Sequence, residues 1–464
     1  MVDNVTINGN TAAGAAADDG GAGIFNTGGT LNIMNSTISN NLATGASGSG
    51  GGIFSLAGTV SIENSTLEMN SANRAGGAIE AVNGTLNINN SILADNDVDG
   101  TAGVPNPGNG GGIHISAITN TTITGGYIED NDARREGGGL WNQTGSTMTL
   151  DMVTVDSNSA SGPEVTHGGG GIFNNGGTLM INNSTIANNN SDGALGNGGG
   201  IHIKSGDATI MTSTISTNWS TNGGGGIYNN AALTVNASTI TNNSGAIYGG
   251  GIANNGATAT IKNTIVAGNT SPSGVDITNG AGAFTSNGYN LIGQDDTNAF
   301  TALATDMEGT SASPIDPMLG PLADNGGSTF THMLLAGSPA YNAGDPSDQF
   351  NDQIDQMVFG GIRDIGAYEA QSQLAVGDFN SISRANTAIY PNPSVGGFVN
   401  VAIASNFGSD INGKIIEIGS GKTVLEFKPT TANSQISLDN IASGLYVVQL
   451  TSEISTENHK LIVR

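Results

Sequence analysis

Gly171-Ile172, followed by Thr178-Leu179-Met180-Ile181-Asn182-Asn183-Ser184-Thr185-Ile186-Ala187-Asn188-Asn189, is one copy of a pattern that recurs through the first 280 residues. A leading aliphatic residue returns at Ile24, Ile53, Ile79, Ile113, Leu140, Ile172, Ile201, Ile227 and Ile252. Glycine precedes it in every copy except at Ala78. Each copy closes on an asparagine: Asn41, Asn70, Asn96, Asn131, Asn158, Asn189, Asn218, Asn243 and Asn269, with Asn10 left from an earlier, partial copy. From aliphatic to asparagine the spacing holds at 16 to 18 residues; from asparagine to the next aliphatic it runs from 9 to 17. One part of the copy is fixed, and one corner accepts insertions. Within the fixed part apolar residues alternate, as at Leu31/Ile33 and Val60/Ile62, and Ile, Val and Thr dominate, so the segments are strands. Three short strands per copy, stacked on themselves, predict a parallel β-helix of nine to ten coils. Rungs about 4.8 Å apart place the asparagines over one another as an amide ladder.

Composition narrows the function. Of 464 residues, 73 are glycine, 12 are Lys or Arg and 38 are Asp or Glu, for a net charge of −26. Nucleic-acid binding needs clustered cations, and only Arg74, Arg134, Arg135, Lys204 and Lys262 lie in the first 280 residues. No apolar run reaches the roughly 18–20 residues of a membrane-spanning helix. Without cysteine, disulfides, thiolate metal sites and a cysteine nucleophile are excluded. The start Met1-Val2-Asp3-Asn4 lacks the basic and apolar regions of an export signal, so the β-helix is expected to be N-terminally incomplete.

The repeat resembles the right-handed parallel β-helix proteins, above all the G-G-x-I…N-S-T-I…N variant of large bacterial surface proteins. Two further segments follow the repeat domain, 1–280. Residues 281–370 hold Gly288-Tyr289-Asn290-Leu291-Ile292-Gly293, Asp316-Pro317-Met318-Leu319 and Asp364-Ile365-Gly366-Ala367-Tyr368-Glu369. Their order resembles the choice-of-anchor module, expected here as a cap on the open end of the solenoid. The family's D-Q-R-G stretch corresponds to Asp355-Gln356-Met357-Val358, which lacks the arginine. After a linker, 371–380, residues 381–464 alternate as short strands around a Gly419-Ser420-Gly421-Lys422 turn, the pattern of a small Ig-like antiparallel sandwich. Tyr390-Pro391-Asn392-Pro393, Gly444-Leu445-Tyr446 and Lys460-Leu461-Ile462-Val463-Arg464 resemble the type A C-terminal sorting domain of Bacteroidetes type IX secretion. That resemblance implies secretion-machinery partners, an extracellular or outer-surface location and, in many members, cleavage of the domain with attachment to lipopolysaccharide.

Two constellations carry candidate chemistry. The residue after each leading aliphatic forms the column Phe25, Phe54, Glu80, His114, Trp141, Phe173, His202, Tyr228, Ala253. Period two sends it away from the core, beside the insertion loops. His114, Trp141, Phe173, His202 and Tyr228 are therefore expected either to stack on sugar rings or to shield the sheet beneath the loops. The second constellation is acidic. Asp95 and Asp97 flank Asn96 as Asp130 and Asp132 flank Asn131, placing carboxylate pairs on neighbouring rungs about 4.8 Å apart. Such pairs suit Ca²⁺ or, with Arg134 nearby, acid/base work on a polysaccharide; solvated charges at a loop base are the third reading. The leading functional expectation is a non-catalytic, adhesin-like or glycan-binding surface protein. The alternative is a polysaccharide lyase or glycoside hydrolase using Asp95, Asp130 and Arg134.

Overall fold

The structure is a computed structural model. It describes residues 1–98 and 108–371 and, toward the C-terminus, 387–395, 397–403, 407, 410–417, 422–429, 433–453 and 456–463. Two compact units divide the chain, Met1–Leu374 and Ala375–Arg464. Most of the long loop between Asn96 and Ile113, the linker 372–380, Gly419-Ser420-Gly421 and Arg464 lie outside the described residues. Among the described residues there is no helix.

The first unit is built on a parallel β-solenoid of about ten turns, with an antiparallel pair, Leu319–Ala323 with Thr331–Leu334, in its later segment. Leading aliphatics stack in register, Ile24 on Ile53, Ile53 on Ile79, and Leu140 on Ile172. The column extends one rung beyond the repeat pattern, where Ile252 pairs with Ile277. A narrow third sheet of nine two-residue strands runs from Thr11–Ala12 to Ser244–Gly245. Inside, Ile33, Ile62, Ile88, Leu150, Ile181 and Ile210 are fully buried in a continuous aliphatic core. The glycine before each leading aliphatic answers to close approach: a Cβ on Gly171 would sit 2.8 Å from the Gly200 carbonyl oxygen. Positive φ is needed two residues earlier, at Gly169 (φ 65°).

The closing asparagines bind one another through the coils. Nδ2 of Asn158 donates to Oδ1 of Asn189 at 2.9 Å, and the same oxygen accepts the Asn158 backbone N–H at 3.0 Å. The amide group also reaches the Ile128 carbonyl at 2.8 Å, so the corner leaves no polar atom of Asn158 idle. This geometry repeats from Asn10 to Asn269. A second ladder lies at the opposite corner, where the serine of N-S-T-I accepts the backbone N–H from the rung below, as in Ser36 N–H to Ser65 Oγ and Ser184 N–H to Ser213 Oγ, both 3.1 Å.

Residues 281–371 share the first unit. Their first part continues the solenoid: Leu291–Ile292 pairs with Ile265–Val266, and Met307–Glu308 pairs with Leu291–Ile292. Phe300 enters the aliphatic core, its backbone N–H held by the buried Asp295 carboxylate at 2.9 Å. The rest does not stay at the end. It turns back along the flank of the coils, with Thr329 bonded to the Asn183 carbonyl and Ala367 N–H to Thr239 Oγ1. The amide of Gln353 spans two rungs, donating to Thr185 Oγ1 at 2.9 Å and accepting from Thr214 Oγ1 at 2.6 Å. Lys262 ties the same segment down through Asp345 (2.8 Å) and Asp348 (2.9 Å). The buried Asp-Gln pair is thus Asp352-Gln353, three residues upstream of the stretch aligned to D-Q-R-G. A guanidinium comes from elsewhere in the chain: Arg363 is buried among Glu369, Asp348, Asp352 and Asp364.

The second unit carries two antiparallel sheets. Thr387–Val395, Phe398–Ile403 and Asn433–Ser437 form one; Thr423–Phe427, Asn412–Glu417, Gly444–Thr451 and Thr456–Val463 form the other. Val399, Val401, Phe407, Ile415, Val448, Leu450 and Leu461 share one core.

Candidate functional site

The column beside the leading aliphatics is brought together as a continuous stack. His114 and Trp141 lie face to face with ring centroids 4.2 Å apart; Trp141 and Phe173 follow at 6.4 Å. His202 meets Phe173 edge-on at 4.8 Å and Tyr228 at 5.0 Å. The column leaves the aliphatic core, as period two requires, yet it does not reach solvent. His114, Trp141, Phe173, His202 and Tyr228 are at most 5% exposed, and only Phe25, at 48%, is open. The cause is the glycine turn that opens each coil. It folds over the residue after the aliphatic so closely that a Cβ on Gly137 would lie 3.1 Å from the Trp141 Cβ. The rings pack on each other, face to face or edge to face, and a sugar meets the covering turns first.

Charged groups thread this stack. Glu80 is fully buried; its carboxylate takes Ser116 Oγ at 2.8 Å and Arg74 Nη2 at 3.2 Å. His114 Nδ1 stands 2.7 Å from Oε2. Burial opposes ionisation of Glu80, but His114, Arg74 and Ser116 together outweigh it and hold the carboxyl below its ordinary range. Glu136 accepts Trp141 Nε1–H at 3.0 Å. Burial raises its carboxyl, against the pull of Trp141, Lys204 and Arg135. Arg135 Nε–H donates to His167 Nε2 at 2.9 Å, and burial with that guanidinium pushes the imidazole down to about 4. His202 donates Nδ1–H to the His167 carbonyl at 3.2 Å; burial brings it to about 3. Arg135, Glu136, His167 and Lys204 carried no apolar or aromatic repeat for a sequence reading to mark. Arg135 and Glu136 lie in the short gap between Asn131 and Leu140, His167 on the insertion loop before Ile172, and Lys204 on the strand Ile201–Met211. Glu80 did carry a signal, since a lone carboxylate in a ring column requires a cationic partner.

The acidic residues sit elsewhere. Asp95 and Asp130 occupy the positive-φ residue before a ladder asparagine (φ 54° and 53°), where other coils place Asn40, Asn188 and Asn242. Left-handed backbone favours Asn and Asp there, which accounts for their identity without chemistry. Both are exposed. Asp97 pairs in register with Asp132 on the narrow sheet, and Arg134 follows on the same outward face. Asp130 is nonetheless raised, by desolvation and then by Asp95 and Asp156. Among the described residues no group of three or more His, Asp or Glu side chains lies together in a way that could hold a metal ion.

A third locus appears where the back-folded segment meets the coils. An open groove of about 610 Å³ lies between Asp151, Met152, Asn183, Met211 and Thr212 on the solenoid and Phe350, Asn351 and Asp355 on the segment.

Residues 388–464 match the secretion system C-terminal sorting domain. No curated protein and no solved structure matches the chain. The second unit is therefore a type IX sorting signal, and the chain is a secreted β-solenoid protein destined for the cell surface or the extracellular space. No helix among the described residues is long and apolar enough to cross a membrane.

Proposed function

We propose that the exported solenoid is a non-catalytic, adhesin-like rod that binds extracellular glycans. The observation behind this reading is the closure of the ring column. Its two buried carboxylates, Glu80 and Glu136, are each engaged by neighbouring side chains, which gives them structural work rather than an open face toward a substrate. Binding is then left to the surfaces and grooves of a rigid scaffold. Glycan-array binding by the secreted protein, without release of reducing ends or unsaturated products from any bound polysaccharide, is the expected result. Product release abolished by D130N would replace this reading with the hydrolase or lyase alternative, for which the raised Asp130 beside Asp95 is the supporting observation.

A further inference from the structure

The groove between the coils and the back-folded segment has the chemistry of a saccharide site. Its volume of about 610 Å³ falls within the roughly 300–1,000 Å³ of small-molecule sites. On the solenoid wall a relay of polar groups crosses three coils: Thr212 Oγ1–H donates to Asn183 Oδ1 at 2.6 Å, and Asn183 Nδ2–H to Asp151 Oδ1 at 2.9 Å. On the facing wall Asn351 Nδ2–H donates to Asp355 Oδ1 at 2.6 Å. In both pairs the carboxylate is oriented by an amide through one oxygen, and its other oxygen takes no protein donor among the described residues. Met152 and Met211 supply apolar surface, and Phe350 adds a ring braced by the Arg363 guanidinium, 4.3 Å from its centroid. No cation lines the groove.

We infer that this groove binds a neutral oligosaccharide. Hydroxyl donors suit the spare carboxylate oxygens of Asp151 and Asp355, since charge-assisted O–H···O⁻ bonds are the strong ones. The C–H face of a sugar ring suits the methionines and Phe350. An acidic sugar is disfavoured, because the carboxylates of Asp151, Asp352 and Asp355 line the groove and none of the lining residues is a cation. The inference rests on the glycan-binding reading above and gives it a location and a ligand class.

The experiment titrates the full chain calorimetrically with hexasaccharides of β-1,4-glucan, β-1,3-glucan, mannan and xylan, and with oligogalacturonate as the anionic arm. Saturable binding of at least one neutral series, with none of oligogalacturonate, is expected. The D151N/D355N variant, which keeps side-chain shape, should weaken that binding at least tenfold. M211W, which fills the groove, should abolish it with an unchanged circular dichroism spectrum. Neutral binding that survives both variants overturns the groove while leaving the glycan-binding reading intact. Preference for oligogalacturonate overturns the ligand class. Failure of every saccharide to bind the folded wild type sinks both readings.

Discussion

Asn269 ends its ladder on Asp276: one carboxylate oxygen accepts both the Asn269 backbone N–H, at 2.9 Å, and its Nδ2–H, at 2.8 Å. Every other rung uses the next asparagine for this purpose, and here an acid seven residues on, at the start of the last coil beside Ile277, takes its place. Asp276 is almost fully buried, and burial pushes its carboxyl up to about 6. A carboxyl raised in the folded state contributes full stability below its unfolded value near 4 and loses it as pH rises through about 6. D276A strands two buried donors and should cost about 2–4 kcal/mol. D276N keeps an acceptor oxygen and should cost less, while flattening the fall in stability between pH 4 and 6. Urea melts at several pH values read both effects; an unchanged slope in D276N would count against the assignment.

Mid-ladder, the loss is greater. Asn158 accepts the backbone and side-chain N–H groups of Asn131 and donates to Asn189, Ile128 and Asp156. N158A leaves several of these buried groups without partners, at roughly 1–3 kcal/mol each, so a total loss of about 4 kcal/mol or more is expected in denaturant melts. N158D should be no rescue, because it replaces a donor facing carbonyl oxygens with a charge.

How much of this was legible follows from where periodicity reaches. The asparagine spacing gave the solenoid and the ladder corner because a fixed sequence offset becomes a fixed place on a rung. The extra coil at Ile277 was missed since Val275-Asp276 replaces the Gly-Gly that marked the others. The ring column was placed on the right strand, but its cover was not visible. Whether an outward ring meets water depends on the turn above it, and that turn was read only as a bend. The back-folded segment left no trace in sequence, because Thr185, Thr214 and Gln353 are unremarkable residues until two distant stretches meet.

Trp141 tests the cover directly. It is 3% exposed and its indole N–H is committed to Glu136. W141A should therefore act as a core truncation, costing about 3–5 kcal/mol, with Glu136 losing a donor. Thermal or chemical melts measure the cost. Lost glycan binding with wild-type stability would instead mean that the ring is an exposed contact.

His167 and His202 make the same stack sensitive to acid. Both are held neutral in the fold, at about 4 and about 3, against roughly 6.5 in the unfolded chain. The unfolded state takes up protons first, so stability is complete above about 6.5 and declines as pH falls toward the folded values. H202Q should reduce the slope of stability between pH 6.5 and 4 relative to wild type. Stability measured by urea at fixed pH steps checks this, and an equal slope in both proteins would refute the assignment.

Gln353 pins the back-folded segment to the solenoid by joining Thr185 and Thr214, while its Nε2 also reaches Thr329 Oγ1 at 2.9 Å. Q353A removes the bridge and leaves the two threonine hydroxyls facing an empty site. The aliphatic core of the coils does not include these residues, so the solenoid should persist while its flank loosens. Hydrogen exchange is expected to accelerate at residues 329–334 and 352–356 and to stay slow at core strands such as Thr59–Glu63. Uniform acceleration along the whole unit would mean instead that the segment and the coils unfold as one cooperative body.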